Sequence, residues 1–436
     1  MMDGAFKPVA GAVSDGLANA GPDRSPPRYF AGISVSSLCR DVAGVVVACR
    51  GRGFSLECDI TTSTSAIVPE STVQLFDDVV RKDRGPPSRV SELKVRLAEV
   101  ELEVAQQLVS QNPVDPLAVG IVDPGLWHEN SDGLRTHQSL CEAVGVAEAT
   151  GLNIIDAFPS RDLAHHGYGG PLDVVPHWLL LGDRRPPPTG VPRVIIQLAG
   201  TTRLTYLTPG DSVQALDSTR SVQIGPGTEL LDRIVRLLTN DQLACDIGGR
   251  IAVQGRRISE LFEQWQTLEE SENQSPWNPS GVRVEPYLEL AYREAIRQHW
   301  PLQDVLCTAT HYIVDTIIQT MNHTLPSPAP QAEIIVAGGG CQNGFMLREL
   351  GAQFPDVSFR QVSELGFSAT KWKGTTAALL AALYVDQVPA NLPAVTGADA
   401  PRIAGRLTPG SPTHWDRLLV EMSEHRPKLL TLRQAV

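Results

Sequence analysis

The sequence predicts an α/β protein made of two domains with a ligand-binding cleft between them. Strand and helix patterns alternate along the first part of the chain, and the same alternation begins again after residue 192. The stretch "GDRRPPPTGVP" at 182–192 separates the two parts and has the composition of a stiff linker. A chain of 436 residues is also longer than one small core needs.

The first part begins with the elements of a hairpin. "YFAGISV" (29–35) and "AGVVVACRG" (43–51) are predicted strands, and "RGFSLECDITT" (52–62) is predicted to return beside them. Ser91 is predicted to open an amphipathic helix that Asn112-Pro113 stops, because leucine and valine recur at helical spacing from Leu93 to Leu108.

Two further strands and a helix complete the first part. "LAVGIVDP" (117–124) and "LNIIDAF" (152–158) are predicted strands, and the helix between them should end at Gly151.

The second part repeats the strand pair within 194–226 and continues into a helix that begins at a glycine turn, "GTELLDRIVRLLTND" (227–241). Two helices follow at 284–299 and 302–324. The strand "EIIVAGGG" (333–340) and the helix "KGTTAALLAALYVD" (373–386) close the pattern.

These elements predict the domain boundaries. Residues 1–27 should be a disordered tail, because the segment is rich in alanine, glycine and proline. Residues 28–190 should form an N-terminal α/β domain, which the last long helix joins. Residues 191–385 should form the C-terminal α/β domain, and 386–436 an extension that packs back on the first.

Composition excludes several classes of protein. A net charge of −12 argues against a broad nucleic-acid or membrane surface, and no apolar run is long enough to span a bilayer. The seven cysteines are scattered without a CxxC pair, so neither a disulfide framework nor a zinc site is predicted. The N-terminus shows no signal-peptide pattern, so the cytoplasm is the expected compartment.

Five short blocks resemble the anhydro-N-acetylmuramic acid kinase family, which has the two-domain actin-like ATPase (ribonuclease-H-like, sugar kinase) fold with an interdomain cleft. The blocks occur in the family's order over nearly the whole chain. They are "RDLAHHGYGGPL" (161–172), "GPGTELLD" (225–232), "DIGGRIAVQG" (246–255), "GGGCQNGFM" (338–346) and "NLPAVTGA" (391–398).

The same resemblance shows departures at the phosphate loops. The family's first loop has two acids where this chain has Arg40 and Ala43, and an asparagine of its second loop is Arg203 here. The acid before the glycine turn is Gln223. A pair of acids near the C-terminus is replaced by Thr370 and Lys373. Because carboxylates hold the Mg²⁺ that accompanies ATP, these changes indicate a phosphate site without its usual chemistry.

The functional prediction is therefore an enzyme on a kinase scaffold that has lost ATP-dependent phosphoryl transfer. It would cyclise, isomerise or eliminate a small metabolite in the cleft, plausibly in specialised-metabolite biosynthesis, with no cofactor and no metal. One alternative is an ATP-dependent anhydro-amino-sugar kinase that uses ATP and Mg²⁺. A further alternative is a non-catalytic pseudokinase. The predicted partner is a small-molecule substrate, and a homodimer is left open.

The predicted site centres on the block 161–172, whose acid aligns with the family's general base. A carboxylate, two imidazoles and a phenol together can move protons, and the glycines permit a ligand close to the backbone. The predicted catalytic residues are Asp162, His165 and His166. The predicted substrate-binding residues are Arg161, Tyr168, Gly169, Gly170 and His128. A vestigial nucleotide site is assigned to Gly338, Gly339, Gly340 and Asn343.

Overall fold

The strands form two main sheets in the computed structural model, which describes residues 26–81, 86–130, 133–183, 190–272, 283–324 and 332–424. Residues 1–25 of the predicted tail and residues 184–189 of the predicted linker lie outside these residues. The strands are β1 Arg28–Val35, β2 Asp41–Arg50, β3 Glu57–Ile67, β4 Val119–Val122, β5 Leu126–Glu129, β6 Arg135–Gln138, β7 Ile154–Asp156, β8 Arg193–Leu198, β9 Thr201–Leu207, β10 Arg220–Pro226, β11 Glu333–Ala337, β12 Phe359–Gln361 and β13 Arg406–Thr408.

The α-helices lie against these sheets or connect their strands. They are α1 Glu70–Phe76, α2 Pro87–Gln111, α3 Ala143–Thr150, α4 Ser160–Leu163, α5 Val174–Leu181, α6 Val213–Asp217, α7 Thr228–Leu238, α8 Ser259–Glu272, α9 Glu285–Gln298, α10 Leu302–Thr324, α11 Gly344–Gly351, α12 Trp372–Val385, α13 Pro393–Thr396 and α14 Pro412–Glu424.

The two main sheets share one topology. The first has the strand order β13-β7-β4-β1-β2-β3, in which β1, β2 and β3 are antiparallel and β4 and β7 run parallel to β1. The second has the order β10-β9-β8-β11-β12, again an antiparallel meander of three strands followed by two parallel strands. The fold is therefore one α/β unit that occurs twice.

The predicted helix from Ser91 begins earlier than expected, at Pro87. Proline favours the first helical position because its φ angle is already helical and its missing N–H is not needed there. The helix ends before Asn112 as predicted, and its leucine and valine stripe is buried against the first sheet.

Helix α12 packs against the first sheet at unusually short range. A Cβ atom on Gly32 would lie 2.0 Å from the carbonyl oxygen of Gly374, and one on Gly120 would lie 2.2 Å from that of Ala377. Only glycine permits this approach of backbone to backbone. The contact fixes the start of α12, and with it Lys373, against the first sheet.

The chain after α12 also lies against the first sheet. Strand β13 pairs with β7, and Asp386 accepts hydrogen bonds from the Arg28 guanidinium and from the amide of Gly53 at 2.8 Å. The predicted domain boundaries at 190, 385 and 386 stay predictions, since a sheet order does not define the exact residue at which a domain ends.

The length and hydropathy of the helices bear on whether any of them could span a membrane. Within the described ranges, no helix has both the length and the apolar character needed to cross a membrane.

The raised pKa of Glu101 predicts how the stability of the protein depends on pH. Its side chain is fully buried on α2, and burial beside Asp123 raises its pKa from 4.5 to about 8. The folded state thus binds this proton more tightly than the unfolded state, so stability is greatest below pH 4.5 and falls as pH rises towards 8. We expect Glu101→Gln to remove this pH-dependent loss of unfolding free energy, which amounts to up to about 1.4 kcal/mol per pH unit.

Chemical denaturation at pH 5 and pH 8 measures the effect. The control is Glu103→Gln, an exposed position on the same helix, which should leave the wild-type pH dependence unchanged. Parallel pH profiles for wild type and Glu101→Gln would contradict the assignment.

Candidate functional site

Two hairpin turns, one from each sheet, face each other across the cleft. Turn 1 comprises residues 36–40 between β1 and β2, and turn 2 comprises residues 199 and 200 between β8 and β9. A Cβ atom on Gly200 would lie 3.0 Å from Ser37 Oγ. The two turns are therefore in near contact, and only a glycine leaves space between them.

Turn 1 is held by its own serine. The hydroxyl of Ser36 accepts hydrogen bonds from the amides of Arg40 at 3.0 Å and Asp41 at 3.2 Å. The Ser36 carbonyl accepts from the amide of Cys39, at 2.8 Å. These bonds define the backbone from which the Arg40 side chain extends.

Turn 2 is held by the start of α7. The amide of Gly227 donates to the Gly200 carbonyl at 2.9 Å, and the amide of Thr228 donates to the Ala199 carbonyl at 2.8 Å. The first amides of this helix are thus bonded to turn 2. They are therefore not aimed at an open anion site.

Arg203 joins the second sheet to the segment just before α5. From β9 its guanidinium donates to the carboxylate of Asp173, which lies just before α5, and to the side-chain oxygen of Gln197. Burial lowers the Arg203 pKa to about 9. Behind this pair, His177 stacks on Trp372 and accepts a hydrogen bond from its indole nitrogen at 3.0 Å.

Two further cations lie beside the turns. The pKa of half-buried Lys373 is lowered, mainly by burial and then by Arg203, while Asp41 opposes the shift. Arg40 acts on Asp232, whose pKa burial raises to about 6 against the effect of that arginine. Lys373 therefore lies within electrostatic reach of Arg203 and Asp41, whereas Arg40 lies within reach of Asp232.

The carboxylates at the turns do not form a metal site. Asp173 is bonded to Arg203, Asp41 is within electrostatic reach of Lys373, and Asp232 is within reach of Arg40. The described portion of the chain contains no group of three or more histidine, cysteine, aspartate or glutamate residues that could hold a metal ion. Glu229 lies at turn 2, where its Oε2 would be 3.7 Å from a Cβ on Gly200, and it pairs with Arg233 at 3.5 Å.

The predicted catalytic Asp162 is placed in a buried position. Only 1% of the residue is exposed. One carboxylate oxygen accepts from Asn391 Nδ2 at 2.7 Å and the other accepts from the Gly169 amide at 2.8 Å. Asp162 thus connects its own loop to the segment around Asn391, and its assignment as a base stays a prediction.

The two predicted catalytic histidines also contact the C-terminal segment. Arg402 Nε donates to His165 Nε2 at 2.6 Å. His166 is exposed and pairs with Asp399, with 2.6 Å between Nδ1 and Oδ2. Arg161 is exposed at the start of α4. The block 161–172 and residues 391–402 therefore form one connected structure.

The predicted substrate-binding residues lie around the small sheet of β5 and β6. Arg135 stacks over the Tyr168 ring at 4.5 Å, and a Cβ atom on Gly169 would lie 2.8 Å from the Trp127 ring. Gly170 precedes a cis proline. His128 is exposed on β5. Close packing of Trp127 thus accounts for Gly169 without any ligand.

Of the four residues predicted for the nucleotide site, three are explained by packing or helix capping and one is not. Cβ atoms on Gly338 and Gly340 would lie 2.4 and 2.5 Å from atoms of Leu198, so both glycines are needed for packing against β8. Asn343 caps α11 by accepting from the Met346 amide at 3.0 Å. Gly339 alone would place a Cβ in open space. Among these four residues, Gly339 is the position at which a nucleoside can approach the backbone.

The sequence analysis missed several residues of the cleft. Asp173, His177 and Trp372 carry no recognisable spacing, and only the fold brings them to Arg203. Asn391, by contrast, belongs to the block 391–398, so the resemblance offered a signal that was not used for the site.

The family model for anhydro-N-acetylmuramic acid kinase matches residues 40–410, which is most of the chain. The chain belongs to this family. The match and the repeated sheet topology together identify the two-domain actin-like ATPase fold, as predicted.

Individual members of the anhydro-N-acetylmuramic acid kinase family are similar to this chain. The kinase of Synechococcus elongatus is 29% identical over 337 residues, covering 76% of this chain and 87% of its own. That of Ralstonia nicotianae is 28% identical over 390 residues, covering 88% and 97%. A solved xylulose kinase from Lactobacillus acidophilus covers 91% of this chain and 97% of its own, at 10% identity and a TM-score of 0.39.

The main functional prediction is wrong. A cyclase, isomerase or lyase without phosphoryl transfer is overturned by family relatives of 24–30% identity that are named as kinases. The departures at the phosphate turns were given too much weight. Arginine and lysine can also neutralise phosphate charge, so the loss of carboxylates does not exclude a phosphate ligand. A kinase family also implies ATP and Mg²⁺, where no cofactor was predicted.

Substitutions at Asp162 and His166 are predicted to differ in their effect on stability. In Asp162→Asn one buried donor, on Gly169 or Asn391, would face an amide NH₂ group, so we expect a loss of about 1–3 kcal/mol in unfolding free energy. His166→Asn removes only an exposed pair and keeps a residue that tolerates the positive φ angle there. Its stability should match wild type in the same denaturation experiment. Equal stability of both variants would contradict the structural role of Asp162.

Proposed function

We propose that the protein is an ATP-dependent kinase that transfers a phosphoryl group to an oxygen of an anhydro-amino sugar. The observation that carries the proposal is the pair of facing turns within a chain of this family. In such a fold the cleft between two α/β units is where ligands bind. The catalysed transfer would occur where turns 1 and 2 meet.

The ligands have distinct places in this proposal. The phosphates of ATP would lie against the two turns, near Gly200, and the nucleoside would lie on the side of Gly339. Gly340 would place a Cβ 3.1 Å from Thr228, so the glycine run lies beside the start of α7, whose first amides bond to turn 2. The sugar would lie on the side of the block 161–172.

Phosphoryl transfer requires mainly positioning and electrostatic stabilisation. Arg40, Arg203 and Lys373 are suited to neutralise charge on the transferred group and on the leaving ADP. Asp162 remains the proposed acceptor of the sugar hydroxyl proton, oriented by Asn391 and Gly169. Magnesium would supply further charge neutralisation when it accompanies ATP, but the protein offers it no carboxylate cluster in the described residues.

Several expectations from the sequence remain part of the proposal. A small-molecule substrate is expected, without nucleic acid or membrane partners. Cytoplasmic location and a homodimer are also proposals.

The direct test is an assay with ATP and anhydro-N-acetylmuramic acid, with ADP and the phosphorylated sugar measured by mass spectrometry. We expect both products in equal amounts, because each transfer releases one ADP. ATP binding with no phosphorylated sugar from this or related anhydro-amino sugars would contradict the proposal.

Gly200 provides a mutational prediction. Gly200→Ala adds a methyl group 3.0 Å from Ser37 Oγ, in the space between the two turns. Its backbone angles are open to alanine, so the effect would be steric. We expect kcat/KM for the sugar to fall by about ten- to a hundredfold.

The matched control is Gly145→Ala on α3, where the added methyl would meet only a flexible Glu142 side chain at 3.6 Å. It should retain wild-type kinetics. Full activity of Gly200→Ala would place the phosphates elsewhere.

A further inference from the structure

We propose that Cys49 and Cys58 form a redox modification site, at which a small-molecule disulfide such as oxidised glutathione reversibly converts the two thiols into one disulfide bond. The site lies in the first sheet, at the end of β2 that is remote from turn 1. The inference does not depend on the proposed kinase activity.

The strand register places the two cysteines directly opposite each other. Cys49 on β2 pairs with Cys58 on β3, and the register shift of this strand pair lies further along, between Val46 and Val47. Opposite residues of antiparallel strands have Cα atoms about 4.5–5.5 Å apart and side chains on the same face. Because disulfides span Cα separations of about 4.4–6.8 Å, the backbone is already placed for the bond.

The two side chains are also directed at each other. Both cysteines are reduced in the structure, and their Sγ atoms are in contact at 2.7 Å. Both rotamers thus aim the sulfur atoms into the space between the strands. Bond formation therefore needs a small movement of two side chains and no rearrangement of the sheet.

The two thiols differ in their access to a reagent. Cys58 is half-buried, whereas Cys49 is fully buried. Burial, followed by the adjoining Cys58 thiol, raises the pKa of Cys49 well above its ordinary value. Since the thiolate is the nucleophile, Cys58 reacts first with a small-molecule disulfide, and Cys49 reacts second.

The reaction balances as two successive thiol–disulfide exchanges. The Cys58 thiolate attacks one sulfur of oxidised glutathione, forms a mixed disulfide and releases the first glutathione. Cys49 then loses its proton, and its sulfur attacks the Cys58 sulfur and expels the second glutathione. Together the two cysteines lose two protons and two electrons, and one glutathione disulfide becomes two glutathione thiols.

The bond would close a loop that connects distant parts of the chain. This loop carries Arg52 and the Gly53 amide, which donate to the Asp386 carboxylate at 3.3 and 2.8 Å. Linking the two strands restricts the unfolded chain while it leaves these native contacts in place. The oxidised protein should therefore unfold at a temperature roughly 2–4 °C higher than the reduced protein.

The experiment is incubation of the folded, reduced full-length protein with oxidised glutathione, followed by alkylation of free thiols in denaturant and peptide mapping. Trypsin cleaves after Arg50 and Arg52, between the two cysteines, so the bond would link peptide 41–50 to peptide 53–81. We expect this linked pair in most molecules and its loss after treatment with dithiothreitol. Unlinked peptides, or glutathione left on Cys58 without a linked pair, would overturn the inference.

Variants connect the change in stability to this bond. Cys58→Ser should give no linked peptides and no change of unfolding temperature on oxidation. The matched control is Cys245→Ser, at the other half-buried cysteine, which should form the bond and gain stability like wild type. A stability gain that persists in Cys58→Ser, or an oxidised wild type no more stable than the reduced one, would contradict a bond within the native hairpin. The wild-type peptide map decides the question even if Cys58→Ser fails to fold.

Discussion

The ion pair between Arg203 and Asp173 is the interaction on which the arrangement of the cleft depends. It joins the second sheet to the segment before α5, and it is largely buried, with 12% and 16% of the two side chains exposed. Removing either partner would leave a buried charge without compensation, which commonly costs about 3–5 kcal/mol. The Asp173 carboxylate also lies 3.7 Å from His177 Nε2, so the pair borders the stack of His177 on Trp372.

The fold could be predicted from sequence because its signals are local and repeated. The stripe from Leu93 to Leu108 and Gly151 at a helix end specify their elements through periodicity and capping, and both occur where predicted. Short elements such as β12 and β13 were missed. Three residues carry little periodic signal, and their strand state comes from pairing with β11 and β7.

The candidate site was less predictable, for a physical reason. Sequence blocks indicate which residues are close along the chain, whereas the cleft is formed by residues far apart, such as Asp162 with Asn391 and Arg203 with Asp173. The matched blocks also contain residues that are there for packing and not only residues that could contact a ligand. Gly338, Gly340 and Gly169 are explained by close neighbours, so a matched glycine motif alone did not locate a ligand. The substituted charges at turn 1 and β9 were interpreted as a loss of phosphoryl transfer, and the kinase relatives contradict that interpretation.

The close packing of α12 on Gly32 and Gly120 has a mechanical consequence. Because backbone touches backbone there, α12 must move as one rigid body with the first sheet, even though it follows the last strand of the second. The chain therefore passes between the two bodies at two places, between Leu181 and Arg193 and between Leu365 and Trp372. A pair of crossings defines a hinge axis. Rotation about that axis would separate Ser37 from Gly200, while Lys373 would stay with turn 1 and Arg203 would leave with the second sheet.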